Sequence, residues 1–183
     1  MSRTAKIVLA ALLLGCAAGG LAACSGGQPV QRAVVTDPEK LAEVGRSIAD
    51  YQLPPGYQDG FGVQLLGFRL VAYVRDERQH IMLMQFPAAA GLSQVEMEQE
   101  LRQASQHETG ELRDLRVVGR HEATIKGEKV VLVVSEGTDA QGQIYRMLSG
   151  IFQGRGGPTL LWMAGPVGNW DQAAVDAFIA SIR

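Results

Sequence analysis

The chain has 183 residues, with 17 Lys+Arg against 19 Asp+Glu, 46% hydrophobic and 20% charged residues. That balance is globular, and it excludes an intrinsically disordered chain, a collagen-like fibre and a strongly basic nucleic-acid binder. The length fits one domain with appendages, and an anionic chain has no general electrostatic pull toward nucleic acid or anionic lipid.

Arg3 and Lys6 precede an apolar run from Ile7 to Leu14, after which Gly and Ala lead to Leu21-Ala22-Ala23-Cys24. A short basic region, an apolar centre and a small-residue end form the layout of a secretory signal peptide. As a membrane span, the stretch from Ile7 to Ala23 is short and broken by glycines, against roughly 20 apolar residues for a bilayer crossing. Its end resembles the lipobox of bacterial lipoproteins. The resemblance implies diacylglycerol transfer to the Cys24 thiol, the nucleophile available there, followed by cleavage between Ala23 and Cys24. Two or more acyl chains on Cys24 would then anchor the domain stably to a membrane. Cys16 is rejected as the acceptor, because it would leave a much shorter signal and Leu14 is bulky for its position. The signal removes Cys16 and the lipid consumes Cys24, so no disulfide, thiol catalysis or cysteine metal site is expected. By resemblance to enterobacterial sorting, Ser25 implies release to the outer membrane in a source with two membranes, the domain facing the periplasm or the exterior. The expected organisation is a signal peptide over 1–23, a lipidated Cys24 and flexible tether over 24–36, and one globular α+β domain over 37–183. The tether residues could span about 40 Å when extended.

Thr36-Asp37-Pro38-Glu39 combines a capping oxygen with an early proline, and Leu41, Val44 and Ile48 recur at helical spacing, predicting a helix over 38–50. Leu53-Pro54-Pro55-Gly56-Tyr57 ends it. Residues 62–73 read as strand, with Gly67 as a bulge. A polar turn over 75–79 leads to a second strand over 80–86. Ser93-Gln94-Val95-Glu96 matches a capping box, predicting a helix over 94–106. Strands follow over 112–125, broken near Gly119, then over 129–135, 144–152 and 158–164, with turns at 126–128, 139–142 and 154–157. The run Val130-Val131-Leu132-Val133-Val134 predicts a central strand covered on both faces. Asn169-Trp170-Asp171-Gln172 starts a last helix, with Val175, Phe178, Ile179 and Ile182 on its apolar face. Short connections in the second half predict an antiparallel sheet flanked by helices, the α+β class.

The strand pair after Leu53-Pro54-Pro55-Gly56-Tyr57, the mid-chain helix, the meander and the closing Asn169-Trp170-Asp171 helix ending Phe178-Ile179-Ala180-Ser181-Ile182 resemble the PsbP-like family over residues 53–183. The resemblance implies the fold shared by an oxygen-evolving photosystem subunit, a Ran-binding nuclear import factor and several bacterial lipoproteins, mostly non-enzymatic binding or assembly proteins. It carries no site residue over to this chain.

Three candidates for chemistry remain. His80, Met82 and Met84 alternate on a strand and share one face; imidazole and thioethers are a soft donor set suited to Cu(I), although two methionines also fill an irregular core. His121-Glu122 offers a base and orienter for a distant Ser. Gly154-Arg155-Gly156-Gly157 lacks the lysine and helix of a phosphate loop and reads as a hairpin turn, and Gly165 to Trp170 as a loop and helix cap. Tyr57 and Trp170 are candidate partner-facing aromatics, with Tyr51 and Phe61 near the same Pro54-Pro55 rim. The functional expectation is a non-catalytic envelope lipoprotein that binds or helps assemble another envelope protein, without a cofactor. A small-ligand or copper-binding lipoprotein is the alternative, and a hydrolase the third.

Overall fold

The computed structural model describes residues 34–76, 78–88 and 112–183. The lipobox with Cys24, the tether up to Ala33 and the helix expected over 94–106 lie outside the described residues. Chain order is β1 (Val34–Val35), α1 (Pro38–Ile48), β2 (Asp59–Leu65), β3 (Phe68–Arg75), β4 (Gln79–Gln85), β5 (Arg113–Ile125), β6 (Glu128–Thr138), β7 (Ile144–Gln153), β8 (Pro158–Pro166), a short 3-10 turn (Val167–Asn169) and α2 (Gln172–Ser181). All strands join one antiparallel sheet in the order β1-β2-β3-β4-β8-β7-β6-β5.

Both helices start as their sequence predicts. Asp37 accepts the Lys40 amide at 3.1 Å with Pro38 in the first turn, and Asp171 accepts the Ala174 amide at 3.0 Å. These side chains satisfy amides that a helix start otherwise leaves orphaned. Helix α1 stops at Ile48, two residues short of the expected 50, and backbone hydrogen bonds then tie Asp50 to the terminal Arg183.

Register places Val71 and Tyr73 of β3, Ile81 and Leu83 of β4, Leu161 and Met163 of β8, and Leu148 of β7 side by side on one face. Leu41, Val44 and Ile48 of α1 and Val175, Phe178 and Ile179 of α2 close over that face to form the main core. The other face carries Leu70, Met82, Met84, Leu160, Trp162 and Ile151, also in lateral register.

Three sequence expectations are corrected. Gly67 is no bulge: Leu66 (φ 49°) and Gly67 (φ 85°) form the two-residue turn that joins β2 to β3. Both central residues have positive φ, as the twist of a hairpin requires. The register of β5 to β6 slips twice, between Arg113 and Arg116 and again at Val118, and the strand continues past Gly119. Strand β6 is not covered on both faces. It lies beside the edge strand β5, with Leu132 buried and Val131 52% exposed. The strand buried on both faces is β8, because it sits mid-sheet between β4 and β7.

Candidate functional site

The sheet has two unlike ends. One carries the β2–β3 tip, the end of β4 and the turns at 126–127 and 154–157. The other carries the start of β2, the β3–β4 turn, the turn near 139–142 and the approach to α2. The second end gathers three of the residues singled out from sequence. Tyr57, His80 and Trp170 line one cavity of about 20 Å³, with Gln79, Arg75 and Val175 also in its wall. That volume holds roughly one water molecule, too little for an organic substrate.

Tyr57 is not a surface aromatic. It is only 9% exposed and its hydroxyl lies 3.5 Å from Gln79 Oε1, with burial raising its pKa above the usual tyrosine value. Trp170 is half-buried against the core, its indole N–H donating to Gln172 Oε1 at 3.0 Å. The guanidinium of Arg146 lies 5.9 Å above its ring, a cation–π arrangement. Two donors of the same guanidinium, Nε and Nη2, reach Glu136 Oε1 at 3.0 and 2.7 Å. Glu136 in turn lines an open cleft of about 260 Å³ with Asp114, Arg116 and Ile144. This end therefore presents a row of aromatic, guanidinium and carboxylate groups beside a shallow cleft. Arg146 and Glu136 went unread in the sequence; their directly paired register, β7 against β6, is visible only after folding.

The rim expected around Pro54-Pro55 turns inward. The Tyr51 and Tyr73 hydroxyls share a hydrogen bond of 2.7 Å, and Tyr51 packs edge-on to Tyr73 and Phe178. Burial pushes the pKa of both tyrosines up, strongly for Tyr51, where the neighbouring Tyr73 adds to the effect.

His80, Met82 and Met84 do share a face, half-buried, with the His80 ring 6.4 Å from that of Trp162. They form a straight row spanning about 13 Å at strand spacing. Among the described residues no group of three or more His, Cys, Asp or Glu side chains assembles to hold a metal ion. The base-and-orienter reading of His121-Glu122 fails on the pleat. Neighbours on a strand point to opposite faces, and His121 instead lies 3.4 Å from Asp176 on the solvent side of α2. Residues 154–157 form the hairpin turn expected, closed by the Gly154 amide on the Gly157 carbonyl at 3.0 Å.

At the opposite end a buried polar network was unread in the sequence. Arg69 donates to Gln85 Oε1 at 2.8 Å, and the Gln85 amide reaches Thr159 Oγ1 at 3.3 Å. Gly154 and Gly156 wrap this group so closely that a Cβ at either would strike Gln85.

Among solved structures, the chain is similar to cyanobacterial PsbP (CyanoP) from Synechocystis sp. PCC 6803, determined in solution. The two share 10% identity and a TM-score of 0.53, over 90% of this chain and 99% of the other. The domain has a PsbP-like fold. At that identity the likeness concerns architecture alone, and the α+β class with an antiparallel sheet is the one expected from sequence. No family model matches the chain, and no curated protein sequence matches it. Among the described residues no helix is long and apolar enough to cross a membrane.

Proposed function

We propose that this chain is a lipid-anchored envelope protein that binds or helps assemble another envelope protein without catalysing a reaction. The lipobox-like Leu21-Ala22-Ala23-Cys24 supports anchoring through Cys24. The observation that carries the binding reading is the Trp170–Arg146–Glu136 cluster at one end of the PsbP-like sheet. Trp and Arg dominate the energetics of protein interfaces, and here both are held in place by partners that leave the cluster on the surface. The small cavity beneath it suits packing rather than turnover. The domain then faces the periplasm or the exterior, on the outer membrane where two membranes exist.

In-cell crosslinking and affinity purification of the full chain, beside Cys24→Ala and Arg146→Ala forms, tests this. A stoichiometric envelope protein retained by the parent, reduced in Cys24→Ala and lost in Arg146→Ala, is the expected result. A chain recovered alone in every form overturns it.

The one-face row of His80, Met82 and Met84 supports a second, copper-binding reading. It requires a Cu(I)-dependent rise in melting temperature that Met82→Leu with Met84→Leu abolishes.

A further inference from the structure

We propose that the β2–β3 hairpin tip, Leu65-Leu66, enters the lipid surface and orients the domain as a second membrane contact. The inference rests on the reading of Cys24 as the lipidated residue. Leu66 is 92% exposed and Leu65 51%, an apolar pair at the outermost point of a hairpin. Leu66 also holds a left-handed φ of 49°, a conformation that a bulky L-residue rarely adopts and that Asn or Gly fills without a large apolar side chain. A leucine there is unexplained by folding and fits a side chain that is buried elsewhere. The base of the tip is apolar as well. Phe68 and Phe86 meet edge to face at 5.8 Å, and Pro87 packs under Gly67.

The position of the tip matches the route of the tether. Strand β1 pairs antiparallel to β2 with Val34 opposite Val63 and Val35 opposite Gly62. The chain therefore enters β1 from the end of β2 that bears Leu65. Cys24 lies ten residues before Val34, a reach of at most about 35 Å, so an anchored Cys24 keeps this end near the bilayer. In this pose the Trp170–Arg146 cluster points away from the membrane.

The test uses the full chain expressed with its leader and reconstituted into phosphatidylethanolamine–phosphatidylglycerol vesicles. An environment-sensitive thiol fluorophore is placed at Leu66→Cys, at Leu65→Cys, or at Gln141→Cys in the opposite turn, and lipid-borne quenchers are added. The expected result is blue-shifted, quenched emission from positions 65 and 66 and water-like, unquenched emission from 141, with Cys24 inaccessible to the label. A vesicle-bound chain with blocked Cys24 whose labels at 65 and 66 both report water overturns the tip contact and leaves the anchor reading standing. Labelling of Cys24 itself shows an unmodified thiol and overturns the anchor reading, and the tip proposal with it.

Discussion

At Gly45 the absence of a side chain is what admits a buried tyrosine. A Cβ there would overlap Tyr51 Oη and press on Tyr73 Oη. In an open helix Gly→Ala gains about 1 kcal/mol in propensity. Here overpacking of about 1–3 kcal/mol opposes it, so Gly45→Ala is expected to lower stability. The same change in a Tyr51→Phe background should cost less, since the atom it strikes is gone; urea unfolding of the four forms in a double-mutant cycle reads that coupling. Tyr51 and Tyr73 also set an alkaline limit. Their folded pKa values are raised by burial, so the folded state holds protons that the unfolded chain releases near pH 10. Stability is thus unaffected by these groups below about pH 10 and falls as pH rises beyond it. Melts followed by circular dichroism between pH 7 and 11.5 should show that fall, and Tyr51→Phe should soften it. Aromatics beside two prolines looked like a binding rim in the sequence. Nothing local reveals that Tyr51 turns inward, because Gly45 and Tyr73 meet it only once α1 lies on β3.

Among the elements, the β2–β3 hairpin is where local preference and native structure disagree. Replacing Leu66 with Asn keeps the turn and relieves a left-handed conformation that costs leucine about 1 kcal/mol. Leu66→Asn should therefore raise the unfolding midpoint in denaturant, a gain unconnected with any contact. The neighbouring network behaves oppositely. Gln85 is fully buried and holds Arg69 and Thr159, so Gln85→Leu takes the acceptor from a half-buried guanidinium and the partner from the buried Thr159 hydroxyl, and should cost about 1–3 kcal/mol by the same measurement. Most element types were legible. Caps at Asp37 and Asp171, the Lys126-Gly127 turn and the glycine-rich turn at 154–157 all stand where their residue chemistry puts them. Strand depth was not legible in the same way. The valine run of β6 is covered on one face only, whereas the mixed Leu160-Leu161-Trp162-Met163 of β8 lies at the sheet centre, because β-branched residues report fit to a pleated surface rather than coverage of both faces.

For the whole molecule, the two proposed contacts fall at opposite ends of one sheet. The tip end faces the direction from which the chain enters β1, and the Trp170–Arg146–Glu136 end is far from it. If this division holds, Arg146→Ala should abolish partner capture while leaving membrane fractionation and thermal stability near the parent. The Arg146–Glu136 pair is partly exposed, and such pairs contribute little to folding, typically below about 1 kcal/mol. A Cys24→Ala chain should lose membrane fractionation, soluble yet folded with the same spectrum, with partner capture reduced rather than abolished.

The sequence by itself determined the candidate anchor, the capped starts of both helices, the turn positions other than Leu66-Gly67, and the α+β class. Each depends on residues close together in the chain, where side-chain oxygens, prolines and glycines act on their own backbone. Tertiary structure decided the rest. Strand β4 pairs with β8 across some eighty residues of chain. That pairing brings His80, Tyr57 and Trp170 to one cavity, and the seating of α1 on β3 sends Tyr51 toward the core. Such placements follow from burying one face of eight strands at once, a global condition that no local window of sequence contains.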